Sequence, residues 1–143
     1  MSRMIMGQSK HAEPFWEATR KKKLMYQYCT SANKAVFYPR QISPYSLRDT
    51  LVWRESAGKG EIYAVTVVHK PTLPMYMQKV PYAVAIVELD EGYRMMTEIV
   101  NTDVEKVKVG DIVAFSKYGY DEVEHGGEEL YLIKMENILA IIK

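Results

Sequence analysis

Side chains that could do chemistry are few in this sequence and lie far apart. It has one cysteine, Cys29, and three histidines, His11, His69 and His125. Nucleophilic, metal-dependent and phosphate-binding sites leave short motifs, but the patterns Gly-x-Ser-x-Gly, His-Glu-x-x-His and Gly-Lys-Ser/Thr are all missing. His125 sits between polar neighbours, which is typical of a solvated loop. The sequence therefore predicts no catalytic residue.

Two short segments look like ligand loops but have simpler explanations. Gly58-Lys59-Gly60 is similar to a phosphate cradle, yet a strand pattern follows it instead of a helix, so it predicts a kink or a β-bulge. Asp90-Glu91 could act as a carboxylate pair, yet it precedes Gly92 between two apolar segments, which is typical of a hairpin turn. Both segments are predicted to shape the backbone.

The bulk composition fits one globular domain with a small appendage. The chain has 143 residues, 48% of them apolar, and a formal net charge of +1 from 19 basic and 18 acidic side chains. This balance lacks the basic excess of a typical nucleic-acid or anionic-membrane binder. A single cysteine permits no intramolecular disulfide, and neither a signal-peptide pattern nor an apolar run of ~20 residues is present. We expect a cytoplasmic protein with no membrane segment.

The stretch from Pro81 to Val100 has the clearest pattern. Residues 82–89 are apolar on both faces of an extended chain, as expected for a strand in a closed barrel. Asp90-Glu91-Gly92 supplies a turn, and the apolar pattern restarts at Tyr93. The stretch therefore predicts a β-hairpin.

The rest of the chain predicts a mainly β protein. Helix and hairpin patterns precede residue 48, and strands are expected over 61–69, 82–89, 93–100, 111–118 and 129–135. Five strands with a connecting segment after the third are the layout of an OB-fold Greek-key barrel. We predict an N-terminal helix with a small ribbon-like hairpin subdomain over residues 1–48, followed by a five-stranded OB-fold domain over residues 49–143.

Five short segments, in order along the chain, carry a family resemblance. They are Pro14-Phe15-Trp16-Glu17-Ala18, Phe37-Tyr38-Pro39-Arg40, Gly58-Lys59-Gly60-Glu61-Ile62-Tyr63, Pro81-Tyr82 through Val87-Glu88-Leu89-Asp90-Glu91-Gly92, and Val109-Gly110. In this order they resemble the DUF35 family, whose members join an N-terminal helix and a rubredoxin-like zinc ribbon to an OB-fold. The resemblance covers residues 13 to 136.

The sequence departs from that family at the metal ligands. The family pattern Cys-x-x-Cys followed by Cys-Pro-x-Cys falls here on Cys29, Ala32, Ser43 and Ser46, with Pro44 kept. Three of four thiolates are missing, and structural zinc takes four ligands, mostly Cys or His. We expect a ribbon-like subdomain without zinc, supported by the helix, by neighbouring aromatic side chains or by a partner protein.

The resemblance implies a companion role and not independent catalysis. Members of the DUF35 family resemble acyl-CoA-binding partners of thiolase-superfamily enzymes in lipid or polyketide metabolism. Some of them resemble partners of hydratases or of steroid side-chain aldolases. CoA carries phosphates and an adenine ring, so basic and aromatic groups near the ribbon–barrel junction are its candidate contacts. These are Arg40, Trp53, Lys59 and Tyr63. No cofactor of the chain's own is implied.

The long connection from Lys70 to Val80 is the candidate surface for a partner or an acyl chain. It holds four apolar side chains between prolines, Leu73, Met75, Tyr76 and Met77. Met and Tyr adapt to partner surfaces. Equally, these side chains could cap one mouth of the barrel.

Two other function classes stay open on the residues alone. OB barrels often stack the bases of single-stranded nucleic acid on surface aromatics, and the chain has 11 tyrosines. The near-neutral charge weakens that alternative, because such grooves neutralise phosphates. The other alternative is a stand-alone binder of small molecules.

Overall fold

The N-terminal elements form a short helix and a three-stranded sheet. The structure is a computed structural model that describes residues 9–115 and the backbone of three later strands, at residues 122–125, 128–131 and 138–142. After a 3₁₀ turn at Lys10–Ala12, helix α1 runs over Glu13–Arg20 with Pro14 in its first turn, where the missing N–H of proline costs nothing. Within the described residues, no helix is long and apolar enough to cross a bilayer.

The ribbon sheet has the strand order β2-β1-β3, all antiparallel. Its strands are β1 (Met25–Cys29), β2 (Lys34–Val36) and β3 (Leu51–Glu55). Strand β3 lies beyond residue 48 and pairs along its full length with β1. The division of the chain into domains at residue 48 stays a prediction.

Five strands close into the predicted OB barrel. They are β4 (Lys59–Val68), β5 (Tyr82–Leu89), β6 (Arg94–Val100), β7 (Ile112–Phe115) and β10 (Ile138–Ile142). The order around the barrel is β10-β6-β5-β4-β7, with β10 parallel to β6 and antiparallel to β7. Between β7 and β10, strands β8 (Glu122–His125) and β9 (Glu128–Tyr131) form a separate hairpin.

The predicted last strand, residues 129–135, was wrong. Residues 128–131 belong to the separate hairpin, residues 132–135 lie outside the described part of the chain, and Ile138–Ile142 closes the barrel. The closing strand is apolar throughout, so it has no alternation that would distinguish a buried strand from any other short apolar run.

Among the described residues, one hydrophobic core joins the ribbon to the barrel. Along β5 and β6, alternate side chains point inward, including Ala83, Ala85, Val87, Met95 and Ile99, all at most 4% exposed. Phe15, Leu24 and Tyr26 from the N-terminal elements pack into the same cluster. The barrel and the ribbon therefore stabilise each other by burying common apolar surface.

The segment Gly58-Lys59-Gly60, at the start of β4, bends the backbone, but the β-bulge of this strand lies further along it. Gly58 takes a φ of +75°, in the region that favours glycine. The register between β4 and β5 shifts between Ile62 and Ala64, which makes Tyr63 the extra residue of the bulge. The bulge expected at Gly58-Lys59-Gly60 therefore lies at Tyr63.

Glu91, in the turn of the central hairpin, ties that turn to the link between ribbon and barrel. Its carboxylate accepts hydrogen bonds from Ser56 Oγ at 2.9 Å and from the backbone N of Ala57 at 2.6 Å. Ser56 Oγ in turn accepts from the backbone N of Gly58 at 3.0 Å. Charge-assisted bonds of this kind are stronger than neutral ones. The turn carboxylate thus fixes how the two sheets meet.

Candidate functional site

A groove of about 490 Å³ lies where the ribbon meets the central hairpin of the barrel. Its walls are aromatic, with one arginine from each side and one carboxylate. The ribbon contributes Ala35, Val36, Phe37, Tyr38, Arg40, Pro44 and Tyr45, and the barrel contributes Glu88, Gly92, Tyr93 and Arg94.

Arg40 is held in the ribbon wall through its backbone. The buried side chain of Gln27 accepts from the Arg40 backbone N at 2.8 Å and donates to the Arg40 carbonyl at 2.9 Å. Both bonds leave the guanidinium out of this contact, and the residue is exposed. The ribbon therefore fixes the backbone position from which the Arg40 side chain extends into the groove.

Arg94 supplies the charge of the opposite wall. Its Nε donates to Glu88 Oε2 at 2.7 Å, and its guanidinium lies 3.6 Å from the centre of the Tyr63 ring. The hydrogen bond to Glu88 and the nearby Tyr63 raise the pKa of Arg94 above its usual value. Because the guanidinium is fixed on two sides, its orientation is set before any ligand arrives.

A stack of aromatic rings forms the floor between these walls. The Tyr93 ring stacks on Phe37 at 4.9 Å and on Tyr26 at 5.0 Å between ring centres, and Tyr93 is only 4% exposed. Burial raises the pKa of the Tyr93 hydroxyl. Tyr38 and Tyr45, at the rim, are 58% and 51% exposed. The groove thus offers exposed rings beside two guanidinium groups.

The predicted CoA contacts divide between the groove and its surroundings. Arg40 lines the groove, and Tyr63 lies next to it under Arg94. Trp53 is partly buried against the core in β3, and Lys59 begins β4 opposite Ala114, so neither forms part of the lining. Whether these four residues contact a ligand remains a prediction.

Sequence reasoning missed Tyr38, Tyr45 and Arg94 as members of this site. Two signals in the sequence could have identified Tyr38 and Arg94. Tyr38 stands two residues before Arg40 in the same motif, and Arg94 lies directly opposite Glu88 across the central hairpin. An arginine paired with a carboxylate in that register places its guanidinium group at the end of the hairpin that faces the ribbon.

The connection between β4 and β5 keeps its apolar side chains at the surface. It contains a 3₁₀ turn at Pro74–Tyr76, and Leu73, Met75, Tyr76 and Met77 are 38–58% exposed. The Tyr76 ring lies 5.9 Å from the ring of Tyr82, at the start of β5. These four side chains are accessible to another molecule, and contact with a partner remains a prediction for them.

The positions that match the family's zinc ligands come together around Cys29. Its Sγ lies 3.3 Å from both Ser31 Oγ and Thr50 Oγ1 and 3.8 Å from Ser46 Oγ. Ser46 Oγ is 2.8 Å from Thr50 Oγ1. Ser43 is fully buried beside them. A network of hydroxyl groups therefore fills the place where thiolates would surround a metal.

This network does not fit a structural zinc ion. Zinc in such ribbons takes thiolate or imidazole ligands, and the cluster offers one thiol. Within the part of the chain that the structure describes, no three His, Cys, Asp or Glu side chains are grouped to hold a metal. Burial alone would raise the pKa of the Cys29 thiol, but hydrogen bonds from Ser31, Ser43, Thr50 and the Ala32 backbone lower it to about 6.

Zinc analysis should therefore find the protein nearly metal-free. We expect fewer than ~0.1 zinc ions per purified chain, and no change of melting temperature with a chelator, because hydroxyl groups replace the thiolates. A matched variant carrying Ala32→Cys, Ser43→Cys and Ser46→Cys restores the four-thiolate pattern and should bind close to one zinc ion. Stoichiometric zinc in the natural chain would contradict this account of the ribbon.

Comparison with known proteins extends these observations. The family described as "ChsH2, C-terminal OB-fold domain" matches residues 53–116. The chain is 33% identical over 97 residues to a probable enoyl-CoA hydratase alpha subunit from Thermomonospora curvata, covering 67% of this chain and 30% of that protein. It is 36% identical over 86 residues to a DUF35 domain-containing scaffold protein from Methanothermobacter thermautotrophicus, covering 59% and 64%.

A solved structure is similar along almost the whole chain. The structure described as "Ltp2-ChsH2(DUF35) aldolase" contains a chain with a TM-score of 0.72 and 25% identity, covering 96% of this chain and 98% of that one. By contrast, this chain spans less than two thirds of the length of the two curated relatives above.

Proposed function

Because this chain belongs to the DUF35 family, we propose that it is a non-catalytic companion subunit of an acyl-CoA enzyme. The partner that we propose is a thiolase-superfamily enzyme of lipid or polyketide metabolism in the cytoplasm. In this role the chain binds the enzyme and helps to position an acyl-CoA or a related acyl thioester.

The groove at the ribbon–barrel junction is the observation that carries the proposal. A CoA molecule presents phosphate groups and an adenine ring, which are the complements of guanidinium groups and exposed aromatic rings. Arg40 and Arg94 face the groove from opposite walls, and Tyr38 and Tyr45 stand at its rim. Guanidinium groups suit phosphate better than lysine ammonium groups do, because their planar fork binds two oxygens at once.

The groove lacks the groups that would let it act alone. Among the described residues that line it, there is no histidine, cysteine, serine or lysine. Glu88, the one carboxylate among those described lining residues, is paired with Arg94, and the thiol of Cys29 is fully buried in the ribbon. Covalent and general-base catalysis need an accessible nucleophile beside a base. These contacts favour binding, with the reacting groups supplied by a partner.

The similar proteins support a partner of this kind. One is named as a hydratase alpha subunit acting on an enoyl-CoA, another as a scaffold protein, and the similar solved structure pairs ChsH2 with Ltp2 in an aldolase. The thiolase-superfamily identity of the partner rests on the family resemblance, and so does direct binding of an acyl-CoA by this chain.

Affinity purification of the full tagged chain from its native host tests the proposal. We expect a thiolase-superfamily enzyme to be recovered in near-stoichiometric amount and identified by mass spectrometry. Recovery of a hydratase or an aldolase instead would support the companion role but would show that the partner is not a thiolase-superfamily enzyme. A monomer with no acyl-CoA enzyme would overturn the proposal.

A further inference from the structure

The groove at the ribbon–barrel junction is lined by aromatic and charged groups and offers little that could hold an acyl chain. Among the described residues that line it, there is no leucine, isoleucine or methionine. Val36 is only 4% exposed, so the accessible aliphatic contacts are Ala35 and Pro44. An acyl chain binds by burying apolar surface. The groove therefore suits another part of an acyl thioester better than it suits the acyl chain.

Basic side chains outnumber acidic ones around this groove. Arg40 and Arg94 line opposite walls, and the ammonium group of Lys34 lies 5.0 Å from the centre of the Tyr45 ring at the rim. Glu88, the one acidic side chain among the described lining residues, is neutralised by Arg94 at 2.7 Å. That bond uses the Nε–H of Arg94 and leaves N–H groups on its Nη atoms, which can bind phosphate oxygens. The groove thus suits an anionic ligand.

Guanidinium groups on opposite walls favour a ligand with two separate phosphate groups. In ADP and ATP all phosphates belong to one chain on the 5′ oxygen of the ribose. CoA carries a 5′ diphosphate and also a 3′ phosphate, so its ribose has negative charge on two sides. Arg40 and Arg94 complement this arrangement, because each planar guanidinium can bind two oxygens of one phosphate. An adenosine with phosphates at both positions therefore matches the two walls.

Exposed tyrosine rings stand where the base of such a nucleotide would lie. Tyr38 and Tyr45 flank Arg40 in the sequence, line the groove and are 58% and 51% exposed. Bases stack readily on aromatic side chains of this kind. The groove volume of about 490 Å³ lies within the range of about 300–1,000 Å³ for small-molecule sites. A nucleotide fills such a groove, and the pantetheine arm and acyl chain of the longer molecule extend beyond it.

We propose that this groove binds the nucleotide end of CoA and leaves the thioester and the acyl chain outside. The adenine stacks against the rings of Tyr38 and Tyr45, and the 3′ phosphate and the diphosphate each contact one of the two arginines. The proposal rests on the proposed function, because it concerns the same groove, and it adds which half of the ligand this chain recognises. Different acyl-CoA molecules then bind this chain alike, and the partner enzyme alone selects the acyl group.

Calorimetric titration of the purified full chain with parts of the CoA molecule tests the proposal. We expect CoA, decanoyl-CoA and adenosine 3′,5′-bisphosphate to have dissociation constants within about threefold of one another, because they share the nucleotide. Dephospho-CoA should bind at least ~10-fold more weakly, since it lacks the 3′ phosphate, and pantetheine should not bind.

Three results of these titrations would overturn the proposal. The first is decanoyl-CoA binding more than ~10-fold tighter than the bisphosphate, which would show that the acyl chain is bound as well. The second is tighter binding of NADP⁺ or of a single-stranded oligonucleotide than of CoA, which would assign the groove to a different phosphate ligand. The third is that CoA and the bisphosphate do not bind.

Arginine variants test the assignment of one phosphate group to each wall. Arg40→Ala and Arg94→Ala should each weaken CoA binding at least ~10-fold, whereas Arg48→Ala, an exposed control outside the groove lining, should leave it within about twofold. One of the two groove variants should bind dephospho-CoA as well as the natural chain does, because its lost contact is to the missing phosphate. Equal losses for both ligands in both variants would overturn the arrangement. Circular dichroism confirms that all three variants fold.

The titrations and the affinity purification can fail independently. If CoA and the bisphosphate do not bind but an acyl-CoA enzyme is recovered with the chain, the nucleotide site is wrong and the companion role stands. If the bisphosphate binds as expected and no acyl-CoA enzyme is recovered, the companion role is wrong and the nucleotide site stands.

Discussion

Replacing Tyr93 by alanine is expected to lower the free energy of unfolding by about 3–5 kcal/mol, the loss typical of removing a large buried aromatic side chain. Tyr93 is 4% exposed and stacks on Tyr26 and Phe37, which belong to the ribbon and its edge. Removing the ring leaves a cavity between the two parts of the shared core. The ribbon, which has too few apolar residues to fold alone, should lose its order first.

Urea unfolding measured with two probes tests this prediction. Both tryptophans, Trp16 and Trp53, lie in N-terminal elements, so fluorescence reports the ribbon while far-UV circular dichroism reports the whole chain. The control is Tyr93→Phe, which keeps the ring. Among the described polar atoms, none is hydrogen-bonded to the Tyr93 hydroxyl, so this variant should lose less than about 1 kcal/mol. An equal loss in both variants would show that the hydroxyl and not the ring is important.

Gly60→Ala is the second large effect that we expect, a destabilisation of about 3 kcal/mol or more from overpacking. Gly60 is buried in β4, opposite Leu89 and Val113. A Cβ there would collide with the carbonyl oxygen of Glu88 and lie 2.9 Å from Val87 Cγ1. Backbone atoms of a neighbouring strand cannot move aside as a flexible side chain can, so the barrel itself must shift.

Gly92→Ala is the matched control for that substitution. Gly92 has a φ of +84°. Among the residues that the structure describes, apart from its two chain neighbours, none has an atom within 4 Å of the place that an alanine Cβ would take. Alanine there should therefore meet conformational strain alone, about 1–2 kcal/mol. Denaturant unfolding of the two variants should rank Gly60→Ala well below Gly92→Ala in stability. The opposite ranking would contradict the close approach of β4 and β5 at Gly60.

The local sequence pattern was sufficient to predict a hairpin, because its two strands and its turn are adjacent in sequence. The hairpin of β5 and β6 was predicted to within one residue, because the alternation and the Asp90-Glu91-Gly92 turn define it without reference to the rest of the chain. The last barrel strand was assigned wrongly, because closure by Ile138–Ile142 depends on pairing with the distant β6 and β7. Such long-range pairing leaves no local signal.

The candidate site was only partly predictable for the same reason. Arg40 was found because it belongs to a contiguous motif, whereas Arg94 reaches the groove from a strand that is distant from that motif in sequence. Trp53 was predicted to be near a ligand, but pairing of β3 with β1 turns it toward the core. The sequence indicated only a role in the turn for Glu91. In the structure its carboxylate also accepts hydrogen bonds from Ser56 and Ala57 and so connects the two sheets.

Adding this chain back to its partner enzyme is the most direct test of the proposed companion role. The enzyme recovered with the chain is separated from it and assayed with its acyl-CoA substrate before and after the chain is returned. The double variant Arg40→Ala/Arg94→Ala removes both guanidinium groups of the groove. Arg20→Ala/Arg48→Ala removes the same charge from exposed positions outside the groove lining and serves as the control.

We predict that turnover falls at least ~10-fold without the chain, which corresponds to about 1.4 kcal/mol of lost transition-state stabilisation. The natural chain and the Arg20→Ala/Arg48→Ala control should restore it fully, and the groove variant should restore it only in part. Turnover that does not depend on the presence of this chain would contradict the account.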